Sequence, residues 1–140
     1  RMFPGVSEFL TALKAAGIPT AIVTSSDEVK MSYLYKQLPV LRDMVDEVID
    51  ASMVTRSKPD PQGYLLAAKK LGCRPEDCYV FEDSLQGIEA GRRAGATVIG
   101  IATTNPADTV RPLCDYLLPS FIGFTPASLL EIKKQIRPSL

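Results

Sequence analysis

Histidine is absent from the 140 residues, and neither sign of charge is in excess. Without histidine, nothing completes a metal site around Cys73 and Cys78, two of only three cysteines. Their odd number and lack of a framework spacing exclude a disulfide scaffold. The thiols are expected to be reduced and partly buried, in a reducing compartment. Sixteen basic and sixteen acidic residues give a net charge of 0, so no basic face for nucleic acid and no charged tail is expected. No apolar run reaches membrane-spanning length, no signal-peptide pattern is visible, and no repeat or low-complexity segment interrupts the chain. The expected partners therefore include neither nucleic acid nor membrane, and the expected location is the cytoplasm.

The chain does have enough apolar residues for a core, 46% of the total. Helix-period and strand-like segments alternate, the pattern of a parallel sheet with helices on both faces. Helices are expected at Val6–Ala16, Glu28–Leu38 (capped by Asp27), Gln62–Leu71, Leu85–Arg93 and Pro126–Ile136. The apolar stripe of the third is Tyr64, Leu65, Ala68 and Leu71. Leu129, Leu130 and Ile136 are expected to turn inward from the last, with Arg137 complementing its C-terminal end. Strands are expected at Thr20–Val23, Glu47–Ala51, Tyr79–Phe81, Thr97–Ile101 and Asp115–Leu118, the last at an edge because Pro119 ends it. Gly87 and Gly91 fall inside a helix, where each costs about 1 kcal/mol against alanine. Close approach of that helix to the sheet is the expected compensation.

The strand Tyr79-Val80-Phe81 ends in Glu82-Asp83-Ser84. Adjacent carboxylates at the carboxyl end of a parallel strand face a ligand crevice, and they are costly there unless a cation offsets them. Nothing nearby offers nitrogen or sulfur, so a hard cation such as Mg2+ is expected. The competing reading is a plain turn, with Ser84 or Asp83 capping the next helix. Two other strand ends carry complementary groups. Thr24-Ser25-Ser26 offers hydroxyls and backbone N–H groups to anionic oxygens, aided by the following helix N-terminus. Lys58, stiffened by Pro59 and Pro61, offers a compact positive charge. Singly, these are also the marks of a helix cap and of a solvated lysine. Together they suit a phosphoryl group whose charge spreads during transfer.

The ordered set Pro4-Gly5-Val6, Ala21-Ile22-Val23-Thr24-Ser25-Ser26, Ser57-Lys58-Pro59-Asp60-Pro61, Phe81-Glu82-Asp83-Ser84, Gly87-Ile88 and Ala94-Gly95-Ala96 resembles the haloacid dehalogenase-like hydrolases. The similarity is to the branch of β-phosphoglucomutase and phosphoglycolate phosphatase. It implies a three-layer α/β/α, Rossmann-like core and a Mg2+-dependent phosphatase of small phosphorylated metabolites. A phosphomutase is the alternative, and a catalytically inactive phosphate- and Mg2+-binding module is the alternative of another class. It implies that Thr24 and Ser25 bind phosphate, that Lys58 binds phosphate and neutralises charge in catalysis alongside Thr24, and that Asp83 holds the metal with Glu82 as second ligand or outer partner.

The family's Asp-x-Asp nucleophile motif occurs nowhere in the sequence, and no helical cap is visible. The resemblance places the missing strand in the middle of the sheet, between Ala21–Val23 and Tyr79–Phe81. Those two strands are then expected either to show unpaired edges or to pair with each other. Arg1 is not an initiator residue, and the chain opens at a helix entry, Phe3-Pro4-Gly5-Val6. Residues 1–140 are accordingly expected to be one core domain, the C-terminal part of a longer protein whose N-terminal segment carries the missing strand and cap. The isolated chain is expected to be inactive.

Overall fold

A computed structural model describes residues 4–136; the expectations for Arg1, Phe3 and Arg137 lie outside them. The elements follow in chain order. They are α1 (Val6–Ala15), β1 (Ala21–Val23), α2 (Glu28–Gln37), α3 (Leu41–Met44), β2 (Glu47–Ile49), α4 (Gln62–Leu71), β3 (Tyr79–Glu82), α5 (Leu85–Ala94), β4 (Thr97–Ile101), α6 (Ala107–Val110), β5 (Tyr116–Leu118) and α7 (Pro126–Ile136). The α/β alternation read from the sequence is present, with shifts of one or two residues at several ends. At β2 the shift has a clear cause. The Asp50 carboxylate accepts the Ser52 amide at 2.9 Å and turns the chain into a short 3-10 turn instead of continuing the strand.

All strand pairs are parallel, but they form two sheets. One is β1-β2, with Ala21 opposite Glu47 and Val23 opposite Ile49. The other is β3-β4-β5, with Tyr79 opposite Thr97 and Ile99 opposite Tyr116. Of the two outcomes open to β1 and β3, the structure takes the first: they do not pair. Between them lies a slot of about 620 Å³, lined by Ala21, Ile22 and Val23 on one side and by Tyr79, Val80, Phe81 and Glu82 on the other. Burial records the difference. β4, between two neighbours, is buried at every residue, whereas Ala21, Ile22 and Val23 are all only partly buried.

Period-2 alternation sends side chains of the larger sheet to two faces. Tyr79, Phe81, Ile99, Ile101 and Leu118 pack with Phe9 and Leu13 of α1 and Ile132 of α7. Phe9, Phe81, Phe121 and Phe124 form a ring cluster there, with centroids from 4.9 to 6.3 Å apart; such pairs contribute about 0.5–1.5 kcal/mol each beyond area burial. Val80 and Val98 face the other way, against Ile88 of α5, Val110 and Tyr64 of α4. This is the three-layer arrangement. α4 touches β1, β2 and α5, and its Tyr64 packs against the cluster of Val80 and Val98, so it reaches both sheets.

Two expected inward residues are not inward. Leu65 of α4 and Leu130 of α7 are exposed, and Ile132 takes the buried position in α7. Each expected stripe was drawn about one position too wide for the contact its helix makes. The glycines of α5 behave as expected. A Cβ on Gly91 would stand 2.9 Å from Val98 Cγ2 and 3.1 Å from Val80 Cγ1, so the helix lies as close to the sheet as it does only without one.

Candidate functional site

β1 ends at Val23, and Thr24 continues it by donating its amide to the Ile49 carbonyl at 2.9 Å. The Thr24 hydroxyl accepts the Ser26 amide at 3.1 Å. This local turn leaves the hydroxyl proton available and Ser25 exposed. The N-terminus of α2 is already engaged: Asp27 accepts the Lys30 amide at 2.9 Å, and Glu28 follows. Its dipole is therefore met by carboxylates, and support for an anion here falls to Thr24 and Ser25 themselves.

Lys58 lies in the loop before α4, joined to Pro59 by a cis peptide bond. Asp60 accepts the Gln62 amide at 2.9 Å at the entry to that helix. The Lys58 ammonium donates to the Val23 carbonyl at 3.1 Å and to Glu82 Oε2 at 2.6 Å. It thus bridges the carboxyl ends of β1 and β3 across the slot. Both side chains are largely withdrawn from water, at 16% exposure for Lys58 and 10% for Glu82. An ammonium has three donors; two are spent here, and none of the described residues takes the third. Thr24, Ser25 and Lys58 line one bay of about 230 Å³, with Asp50, Arg56, Ser57 and Gly63.

Glu82, the last residue of β3, and Asp83, in the bend just past it, make contacts on different sides. Glu82 turns toward α4 and α5. There its Oε2 also accepts the Tyr64 hydroxyl, and its Oε1 accepts longer bonds from the Ser84 amide at 3.5 Å and hydroxyl at 3.3 Å. Ser84 caps α5, its hydroxyl accepting the Gly87 amide at 3.0 Å, as the turn reading expects. Asp83 is half-buried at the strand end. Its Oδ2 accepts the Thr104 hydroxyl at 2.8 Å and the Thr103 hydroxyl at 3.4 Å, while Asn105 donates to its carbonyl at 3.3 Å. Oδ1 takes no hydrogen bond from the described residues.

Sequence reasoning leaves four of these contributors out of the site, Tyr64, Thr103, Thr104 and Asn105. It puts Tyr64 in the apolar stripe of its helix, and it leaves Thr104 and Asn105 open between touching substrate and forming a turn. The signal for Tyr64 was a polar tip on the first turn of the helix that follows Lys58; none separated Thr104 and Asn105 from ordinary loop residues. Burial and the nearby Glu82 and Asp83 carboxylates push the Tyr64 phenol far above its ordinary pKa, so it remains a donor throughout the physiological range.

A divalent cation is tested by the donor set. No group of three or more acid, cysteine or histidine side chains capable of holding a metal occurs among the described residues. Mg2+ does not require one, since it keeps several waters and uses one or two carboxylates with substrate oxygens. Asp83, with one oxygen oriented by Thr104 and the other open, fits that use. Glu82, with Oε2 held by Lys58 and Tyr64, fits a supporting role behind it.

Parallel strands, helices on both faces and a crevice at the strands' carboxyl ends define the doubly wound α/β class. Within that class the family is shown by sequence. The model of the haloacid dehalogenase-like hydrolases matches residues 1–95, and the chain belongs to that family. Hexitol phosphatase A of Escherichia coli is 40% identical over 110 residues, covering 77% of this chain and 48% of the relative. β-Phosphoglucomutase of Mycobacterium bovis is 36% identical over 109 residues, 76% of this chain and 42% of that enzyme. A crystal structure of a family IA, variant 3 hydrolase from Entamoeba histolytica superposes with a TM-score of 0.87 at 30% identity, over 96% of this chain and 61% of that one. The chain thus spans about half the length of the curated relatives it matches. No helix among the described residues is long and apolar enough to cross a membrane.

Proposed function

We propose that this chain is the core of a Mg2+-dependent phosphatase of small phosphorylated metabolites. It works through an aspartyl-phosphate whose nucleophile lies on an N-terminal segment not among these residues. The observation that carries the reading is the Lys58 ammonium at the mouth of the slot, with an unspent donor beside Thr24 and Ser25. Phosphoryl oxygens rest against the Thr24 hydroxyl and the Ser25 amide. Lys58 neutralises the charge that grows on them, the kind of contact whose loss costs on the order of 10²–10³ in rate. Asp83 would hold Mg2+, which would supply further positive charge to the phosphoryl group. Glu82 orients Lys58 from the rear.

The β1–β3 slot is the seat of the companion segment. It is bordered by two strand edges and floored by apolar side chains, and a parallel strand inserted there satisfies both edges. One domain spanning residues 1–140 and a cytoplasmic location complete the reading. Within the family, the mutase relative favours a phosphomutase as the second possibility. The absence of Asp-x-Asp favours a phosphate- and Mg2+-binding module as a third.

The test is p-nitrophenyl phosphate hydrolysis with Mg2+, by the chain alone and with a companion polypeptide carrying an Asp-x-Asp strand. The expected result is none alone and turnover on complementation, lost in Lys58→Met. Turnover by the chain alone that Asp83→Ala abolishes would overturn the missing-nucleophile part. Phosphate binding without turnover in both cases would favour the binding module.

A further inference from the structure

Tyr64 touches both members of the buried ion pair. Its hydroxyl donates to the same Glu82 oxygen that Lys58 holds at 2.6 Å. Its ring centroid lies 5.0 Å from the Lys58 ammonium, within cation–π range. Packing alone does not account for the hydroxyl, because a phenylalanine would fill the same place against Val80, Ile88, Val98 and Val110.

A second, independent feature concerns the same carboxylate. A Cβ on Gly87 would overlap the Glu82 carboxyl group, so α5 leaves open the volume that the carboxylate fills. Glu82 is thereby fixed from two helices, by a donor on α4 and by a vacated position on α5. A lysine paired with a mobile carboxylate wraps around it, and its ammonium follows the carboxylate. A lysine paired with a fixed one keeps its remaining donor in one direction.

We propose that Tyr64 is a positioning residue: by holding Glu82 through its hydroxyl and lying under Lys58 with its ring, it aims the third ammonium donor of Lys58 into the bay that takes the phosphoryl group. The inference rests on the phosphate-binding reading of that bay, and its test separates the two.

The experiment uses the isotope-labelled full chain, wild type and Tyr64→Phe. It measures inorganic phosphate affinity, the side-chain order parameter of Lys58 by NMR, and thermal melting. Tyr64→Phe keeps the ring and removes only the hydroxyl. The expected result is an affinity loss of about tenfold, the scale of one charge-assisted hydrogen bond, together with a lower Lys58 order parameter. Tyr64→Leu, which removes the ring as well, loses more of both. An unchanged Lys58 order parameter in Tyr64→Phe overturns the proposal, whatever the melting temperature does. Wild-type chain that binds no phosphate defeats the phosphate-binding reading, while the order parameter still decides the role of Tyr64. Should Tyr64→Phe not fold, the wild-type chain decides. The proposal requires a slowly exchanging Lys58 ammonium signal with a cross-relaxation contact to the Tyr64 ring, and absence of that contact ends it.

Discussion

The carboxyl group of Glu82 stands where the Cβ of residue 87 would be in any helix that did not carry glycine there. Alanine at that position gains about 1 kcal/mol of helix propensity. It must also displace a carboxylate that holds Lys58. Gly87→Ala is expected to be destabilised by about 1–3 kcal/mol, the usual range for overpacking, and to weaken phosphate binding. Gly91→Ala, which presses on Val98 and Val80 instead, is expected to alter stability and leave phosphate binding alone. Urea melts and phosphate titrations of the two variants make the comparison; equal phosphate affinity in both would dissociate Gly87 from the bay.

Removing Lys58 strands a buried carboxylate. Lys58→Met is expected to lose about 3–5 kcal/mol of stability, the scale for breaking one side of a buried pair, and to lose phosphate binding. The double variant Lys58→Met, Glu82→Leu removes both charges. It is expected to recover most of the stability and none of the binding. Denaturant melts beside phosphate titrations read the split.

Asp83→Asn keeps the shape and the Thr104 contact but removes the charge. It is expected to weaken Mn2+ binding, used as a spectroscopic stand-in for Mg2+, by at least tenfold with stability changed by less than about 1 kcal/mol. Electron paramagnetic resonance titration measures the affinity. Undiminished Mn2+ binding would remove Asp83 from the metal role.

The half-buried Tyr64 phenol has a pH signature. Its pKa is raised in the folded chain, by burial first and then by Glu82 and Asp83. In the unfolded chain it ionises near its ordinary value of about 10. Above that pH the unfolded state binds fewer protons than the folded state. This stabilising contribution, fully present below pH 10, is then lost as pH rises, by up to about 1.4 kcal/mol per pH unit. Melts from pH 8 to 11 are expected to show a steeper decline for wild type than for Tyr64→Phe. Parallel curves would mean that Tyr64 does not make the contacts described.

Much of the fold was legible because its punctuation is local. Asp27 caps α2, Gly72 and Gly95 end α4 and α5 in the left-handed conformation, and Pro119 closes β5. The bay was legible too, because Thr24, Ser25 and Lys58 each follow or precede an element whose end is marked. What the chain order hides is direction. Glu82 and Asp83 read as one acidic pair, yet Glu82 ends the strand facing α4 while Asp83, in the bend after it, meets the loop after β4. The side taken by Glu82 was available from Val80, which is buried on the same side. Leu65 and Leu130 were misjudged for the opposite reason: helical periodicity fixes a face but not its width, and the width depends on what lies opposite. The contact from Thr104 to Asp83 spans 21 residues and has no local mark at all.

A sheet interrupted at its midpoint sets a condition on whatever fills it. On the proposed reading, a strand inserted there would have to match two edges at once, and slippage by a single residue would turn every side chain to the wrong face. An acid meant for the Lys58 end would then be buried among Phe9 and Leu13, or among Ala67 and Ala68. On the proposed reading, assembly in the wrong alignment would be penalised by the same contacts that would leave it chemically silent.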